Sequence, residues 1–472
     1  MLSQLREKHG SGFLLLLAST CGGVKGVVST LLGGLLLPLF RNVLHLSDTE
    51  YQACLTVIML PWAMKSLLGL MVDRATVISP SSYYAGAVAV GTLSAGALAL
   101  SQTDSLTMST ITGLAFGISM QVALTDVLAE GSYAQRMRVV PELAADLLAF
   151  IWRALSVGSL IGTVLAGVLA DHGHTLVAFW LVCGMCAQAV LPVLLGHLPL
   201  QVSTAPKMSG ILPLAAVLSA SAVVLGVVTA YTDPAVKMTF ALVSVALLLA
   251  GGFVLLPREL AICNGYMCTC NVLQVSVRGA LDFWYTADYA CVPGGPAFSM
   301  TYYITVAGAV AAASTFVGVG LFRSTLSRWS FRDMFRFTAL LRCFGAVADV
   351  VIINRWNLAV GVPDRVMFMA GNAVVGPIIA AMDAMPMVAL TSKLCPEGEE
   401  STVYALLASY QNYGGAVASA VGVAAAHSAG IHLQDDGAAC TFNNLSPLVV
   451  VCNMFLPLLA YPLAGWLPEG GV

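Results

Sequence analysis

Apolar runs of the length that crosses a bilayer core as a helix, roughly 20 residues, follow one another through almost all of this 472-residue chain. They fall at 13–38, 52–72, 82–100, 106–129, 143–170, 175–198, 211–231, 236–256, 260–285, 298–322, 334–353, 365–391, 402–426 and 447–467. Charged residues make up only 10 % of the chain and hydrophobic ones 58 %, whereas a soluble domain carries about 25 % charged residues. That deficit excludes a soluble enzyme and a disordered regulator. With 21 Lys and Arg against 24 Asp and Glu, the formal net charge is −3. No basic excess exists to pair with a phosphate backbone, so nucleic acid is excluded as a partner. The expectation is an all-α polytopic membrane protein of about 14 transmembrane helices embedded in the lipid bilayer.

The N-terminus places Arg6 and Lys8 before an apolar start at Phe13, as a secretory leader does. The run continues past Lys25 to Leu39, too long for a leader's apolar core, so it reads as a retained helix. The polar segment 199–210, with Pro199, Pro206 and Gly210, separates six spans from eight. Taking 211–256 as an inserted pair gives a six-plus-two-plus-six plan: an N-terminal half at 13–198, a linker with two extra helices at 199–256, and a C-terminal half at 257–467. Paired six-helix halves mark a large transporter class. Internal repetition is weak: Gly69-x-x-x-Asp73-Arg74 and Gly167-x-x-x-Asp171. Small residues four apart, Gly22/Gly26, Gly113/Gly117 and Gly158/Gly162, suit close helix packing. With the N-terminus placed in the cytoplasm, five of the 21 Lys and Arg fall inside spans. Four (Arg41, Lys237, Arg355, Arg365) fall outside, and the remaining twelve are cytoplasmic. That bias puts both termini inside, with the plasma membrane as the expected location.

Ionisable groups at membrane depth cost roughly 2.5–3.5 kcal/mol each on insertion scales and persist where they pair or line a wet cavity. Lys25 is on the first span of the N-terminal half and Asp126 on its fourth; Asp282 and Asp383 hold the same places in the C-terminal half. Arg278 and Asp282 are four apart and can pair on one helix face. Arg342 and Asp349, seven apart, share a face as well. Lys25 and Asp383 have no opposite charge at helical spacing, so they need partners on other helices or in water. Lys65 and Asp73 lie toward the end of the second span, where gating, helix anchoring and ligand contact are equal alternatives. Phe283, Trp284, Tyr285, Tyr289, Tyr302 and Tyr303 form an aromatic group that either stacks on a flat heterocycle or serves as an interfacial belt.

No catalytic or metal constellation is present. The seven histidines form no HExxH, and no GxSxG, P-loop or GxGxxG occurs in a strand–helix setting. Cys268-x-Cys270 lacks zinc spacing, and His172-x-His174 lacks a third ligand. No cofactor is expected. Most of the twelve cysteines lie inside apolar runs as small buried groups. Cys291 and Cys440 lie in two outer loops, where a disulfide and two free thiols are equal alternatives. The one N-glycosylation sequon is Asn444-Leu445-Ser446, followed by Pro447.

Several motifs occur in order. Pro61, Trp62, Lys65, Gly69 and Asp73 resemble a PW-x-x-K-x-x-x-G-x-x-x-D signature. Thr125-Asp126-Val127-Leu128-Ala129-Glu130 resembles the segment closing a fourth helix. Arg355-Trp356-Asn357 with Gly361, Pro363 and Asp364 is similar to an RWN-x-x-x-G-x-PD loop, and Leu394-Cys395-Pro396 through Leu407 to an LCP-x-G-x-E-x-T-x-[FY]ALL stretch. Gly279–Tyr285 looks like the helix opening a C-terminal half. From about residue 22 to 467 the chain resembles the folate–biopterin transporter family of the major facilitator superfamily. The loop after Asp73 departs from that family's basic pattern, with Arg74 alone. The resemblance implies a central cavity lined by the first and fourth helices of each half. It also implies secondary active transport of pteridines, folate or biopterin, driven by protons. Lys25, Arg278 and Arg342 then supply cations for the carboxylates of folate, Trp284 and Tyr285 supply rings for the pterin, and Asp383, whose helix is loosened by Pro386, supplies the coupling carboxyl. Alternatives are a transporter of another cofactor-like metabolite such as S-adenosylmethionine, and a receptor that binds without transporting.

Overall fold

The computed structural model describes residues 2–40, 44, 54, 57–59, 61–62, 64–74, 79–102, 106–171, 175–198, 210–287, 289–299, 301–395, 400–431 and 441–470. Every regular element longer than a turn among them is helical. Ten helices are long and apolar enough to cross a membrane, from Ser11–Leu36 to Leu445–Trp466. Ile211–Tyr231 and Pro234–Leu255 are among them.

Local chemistry sets the helix boundaries. The Ser79 hydroxyl accepts from the Ser82 amide at 3.2 Å, with Pro80 at the first helical position of Pro80–Leu100. Thr107 does the same for the Thr110 amide at the start of Met108–Val139, and Ser330 for the Asp333 amide ahead of Phe331–Gly345. Each satisfies a donor that the first turn leaves open.

Two of the runs read from sequence divide into separate helices here. In the run at 52–72, residues 52, 53, 55, 56, 60 and 63 lie outside the described residues. The run at 260–285 divides into Arg258–Val272 and Arg278–Thr286, and the break packs on the Glu400–Ser428 helix: the Ser276 amide donates to the Ala418 carbonyl at 3.2 Å. The run at 334–353 divides at Gly345 and Ala346 into Phe331–Gly345 and Val347–Ile353. Glu400–Ser428 is one 29-residue helix interrupted by polar Ser409, Gln411 and Asn412.

Two compact packing units emerge. One comprises Met1–Ala230 and Val388–Tyr410 with Val472, the other Tyr231–Met387 and Gln411–Gly471. In the first, Ser11–Leu36 meets Ala144–Asp171 backbone to backbone. A Cβ added at Gly26 would sit 2.9 Å from the Gly158 Cα, and one at Gly162 would sit 2.9 Å from the Val27 carbonyl oxygen. Gly22/Gly26 and Gly158/Gly162 thus form one seam of the kind their spacing predicts, whereas Gly113 has open space beside it. The second unit has an apolar core that includes Trp284, Tyr285, Phe298, Ile352, Phe368 and Leu445.

Candidate functional site

The N-terminal seam fixes the helix that carries Lys25, and Lys25 lies in a π-helical stretch of it, Ala18–Val28. Single widened turns of this kind are frequent at functional positions. The Lys25 Nζ donates to both carboxylate oxygens of Asp126, at 2.9 and 2.8 Å. The Lys65 Nζ donates to Asp126 Oδ2 at 2.8 Å and to Glu130 Oε2 at 2.6 Å, and Lys25 is 3.8 Å from Glu130 Oε1. Three helices therefore meet in a knot of two cations and two anions. Asp126 and Glu130 are four apart, so both point to the same side of Met108–Val139. The Trp62 ring faces both ammonium groups, with centroid distances of 5.7 Å to Lys25 and 5.3 Å to Lys65. Lys65 and Asp126 are each 2 % exposed at the side chain and Glu130 7 %, but Lys25 is 28 % exposed. The knot is closed on the Lys65 side and reachable on the Lys25 side.

In the second unit the Arg342 guanidinium is ion-paired with Asp383, both side chains largely buried. The partners that Lys25 and Asp383 lacked at helical spacing are thus supplied across helices. Arg342 and Asp349 lie on either side of a break at Gly345 and Ala346, in Phe331–Gly345 and Val347–Ile353. Asp349 Oδ1 accepts from the Tyr285 hydroxyl at 2.7 Å and from the Asn372 amide at 2.6 Å. Asn372 lies in a second π-helical stretch, Met369–Val375.

Tyr285 is 1 % exposed and Trp284 4 %. Their rings sit 5.2 Å apart, edge to face, and Tyr285 stacks on Phe298 with an interplanar angle of 7°. Arg278 is exposed. The side chains of Asp73 and Asp282 lie outside what is described, as do His172, His174 and Cys440. Cys291 is disulfide-bonded. Asn444 is exposed and donates to the Ala429 carbonyl at 2.8 Å, and its sequon partner Ser446 accepts from Asn354. Among the described residues no group of three or more His, Cys, Asp or Glu can hold a metal.

Sequence reasoning missed Glu130, although its four-residue offset from Asp126 was the signal. It missed Asn372, for which the sequence carries no charge or spacing cue.

A family profile described as the BT1 family matches residues 25–471, including every member of this charge knot. The chain belongs to the BT1 family. Among curated relatives, the Arabidopsis thaliana protein named "Probable folate-biopterin transporter 6" is 26 % identical over 422 residues, covering 88 % of this chain and 77 % of its own. The Synechocystis "Folate-biopterin transporter" is 29 % identical over 161 residues, covering 34 % of this chain and 31 % of its own. Solved structures agree on the fold. The major facilitator proton:xylose symporter XylE superposes with a TM-score of 0.58 at 13 % identity, covering 98 % of this chain and 94 % of that one. The POT family transporter PepTSo gives 0.62 at 10 %, covering 96 % and 95 %. This BT1 protein is a multi-pass membrane transporter of the major facilitator fold, and not an enzyme.

Proposed function

We propose that this BT1 protein is a secondary active transporter of pteridines, folate or biopterin, coupled to protons, with both termini cytoplasmic and the plasma membrane as its site. The observation that carries the reading is the buried knot of Lys25, Lys65, Asp126 and Glu130 beside the Trp62 ring. Its two positive and two negative charges cancel. Adding one proton to a carboxylate leaves one uncompensated positive charge in a low-dielectric place, where such a charge is costly. An anionic ligand that enters next to Lys25 removes that cost. Proton and anion therefore favour each other's binding, which is the thermodynamic condition for coupling. A pterin adds a flat face that can stack on Trp62, and the carboxylates of folate match the exposed Lys25 ammonium. The names of the curated relatives support the same ligand class.

Uptake of labelled folate and labelled biopterin into cells lacking their own carriers tests the reading. Accumulation of either, dependent on an inward proton gradient and lost in Lys25→Ala, is expected. Binding without accumulation would make the protein a receptor. Uptake of S-adenosylmethionine but of neither pteridine would move it to another metabolite.

A further inference from the structure

Two spans of the second unit end at one place. Thr301–Arg328 and Leu445–Trp466 are each long and apolar enough to cross a membrane, and the helix Phe331–Gly345 starts just after the first one stops. Residues 467–470 strap these ends together. The Phe331 amide donates to the Gly470 carbonyl at 2.9 Å. Arg332 donates from Nε to the Leu467 carbonyl and from Nη1 to Glu469 Oε1, the latter at 2.7 Å. Trp329, Tyr461 and Trp466 are exposed around the junction. Aromatic rings collect at the level of lipid headgroups, so this end of the unit lies where bilayer meets water.

Arg332 and Arg336 are four apart and neighbours on one helix face, yet they are employed differently. Arg332 is taken up by the strap. The Arg336 guanidinium lies over the Tyr461 ring, 5.8 Å from its centroid, and its Nε is buried with no hydrogen-bond partner. The Asp333 carboxylate is 3.9 Å away, past hydrogen-bond range, and accepts from the Ser330 hydroxyl at 2.7 Å. The Arg336 side chain is 38 % exposed. A planar fork stacked on a ring is held ready for a phosphate, and an unfilled buried donor is a cost that an anion beside it lowers.

Beyond Arg336 the same row turns apolar. Leu340 and Phe344 follow it at four-residue steps, along one ridge of the helix, and both are exposed. On the last span Val451, Phe455 and Leu459 make a second exposed row at the same spacing. The two helices pack along each other: the Cys343 thiol donates to the Met454 carbonyl at 3.2 Å, one end of a contact whose other end is Arg336 on Tyr461. One arginine therefore heads two apolar ridges. A soluble anion has no use for the ridges, and a neutral lipid leaves the arginine uncompensated. A phospholipid with a net negative headgroup matches both.

We infer that this face seats one anionic phospholipid, its phosphodiester on the Arg336 guanidinium beside Tyr461 and its acyl chains along the Leu340–Phe344 and Phe455–Leu459 ridges. Phosphatidylcholine carries the same phosphodiester but brings its own cation, so Arg336 discriminates against it. On the proposed orientation this end faces the cytoplasmic leaflet, where anionic lipids concentrate and a basic side chain near the surface adds about fivefold to binding. The inference is independent of which ligand the protein moves.

Native mass spectrometry of the full chain, released from micelles holding equal amounts of phosphatidylserine and phosphatidylcholine, tests the seat. The parent should retain phosphatidylserine about fivefold over phosphatidylcholine, and Arg336→Gln should bring the two near parity. Arg336→Lys, which keeps the charge and loses the fork, should fall between them. Tyr461→Leu removes the ring beneath the guanidinium and should shift the ratio in the same direction; it provides the reading if Arg336→Gln fails to reach the membrane. Arg258→Gln removes an exposed cation at the start of another helix of the same unit and should leave the ratio unchanged. Equal retention of the two lipids by the parent would overturn the seat. So would a ratio untouched by Arg336→Gln and Tyr461→Leu, or one lowered as far by Arg258→Gln. Displacement of phosphatidylserine by inorganic phosphate would also overturn it, since the site would then take a free anion and not a lipid.

Discussion

In the N-terminal unit two lysines share two carboxylates; in the C-terminal unit one arginine has one carboxylate, and the neighbouring Asp349 is held by a phenol and an amide. Asp126 accepts from both Lys25 and Lys65, and Lys65 reaches both Asp126 and Glu130. Neutralising Glu130 leaves both ammonium groups on Asp126. Neutralising Asp383 leaves the Arg342 guanidinium without the ion pair recorded for it. Redundant pairing lets charge change without collapse, whereas exclusive pairing fixes it. Under the proposed coupling, the first element switches and the second holds.

The largest expected effect lies where sharing depends on one residue. Lys65→Ala leaves Glu130 only its 3.8 Å contact with Lys25 and takes one of the two lysines from Asp126, and losing one partner of a buried pair costs about 3–5 kcal/mol. Thermal unfolding in detergent should show it as a severe loss of stability. Lys25→Ala should cost less, because Lys65 still binds both carboxylates. A larger loss for Lys25→Ala than for Lys65→Ala would break the sharing picture.

Arg342→Met follows, toward the lower end of the same range because the pair keeps a little exposure. Adding Asp383→Leu should recover most of that loss, since a buried pair replaced as a whole by apolar groups is often neutral. Failure of the double variant to regain stability would mean that Asp383 has further obligations.

The third prediction sets Glu130→Gln against Asp383→Asn in uptake assays. Glu130→Gln imitates the protonated knot with its lysines still paired. It should abolish pH-dependent accumulation yet leave exchange of ligand across the membrane. Asp383→Asn should lower the amount of protein at the membrane as well as its transport. If Asp383→Asn alone decouples protons from transport at normal surface levels, the coupling carboxyl is in the C-terminal half, where the sequence reading placed it.

Tyr285→Phe removes one neutral donor from Asp349 and should cost about 1 kcal/mol, well short of losing a cation. A loss as large as that of Arg342→Met would show that Asp349 depends on Tyr285 as on a charge.

His9 gives the smallest effect. It is 5 % exposed on the short Leu2–His9 helix ahead of the first span, and neither ring nitrogen has a hydrogen-bond partner in the structure. Burial first, then the Arg136 guanidinium, holds its pKa below the usual 6.5. A base with a depressed folded-state pKa binds more protons when unfolded. Its neutral burial is therefore free of penalty above about pH 6.5 and is opposed increasingly as pH falls below that value. Thermal unfolding at about pH 7.5 and about pH 5.5 should show an acid-induced loss in the parent that His9→Phe reduces. Equal losses in both would clear His9 of any part in acid sensitivity.

Composition alone conveyed the membrane class, because lipid demands long apolar helices and so small a share of charge is incompatible with a soluble domain. Lys25, Lys65 and Asp126 were legible because charge at membrane depth is rare. Their mutual pairing was not, since it joins residues 61 to 101 positions apart on three helices. Glu130 was legible only as the fourth residue after Asp126. Arg342 and Asp349 illustrate how periodicity misleads: seven-residue spacing aligns them only if the helix runs on, and it breaks at Gly345. The run at 260–285 misled in the same way, since hydropathy does not register the non-helical stretch at 273–277. Trp284 and Tyr285, expected to offer rings to a ligand, are packed into the core of their unit.

The glycine seam that carries Lys25 has a consequence for anyone redesigning this protein. Replacing a helical glycine by alanine is a common stabilising change, gaining about 0.4–1 kcal/mol where the backbone permits it. At Gly26, Gly158 and Gly162 the sign reverses, because the first atom of any side chain would enter the backbone of the opposing helix. Every coding change at these positions adds that atom, so the seam has no smaller step to take. Random mutagenesis and evolutionary drift should leave those positions unchanged while the lipid-facing surface around them is free to vary.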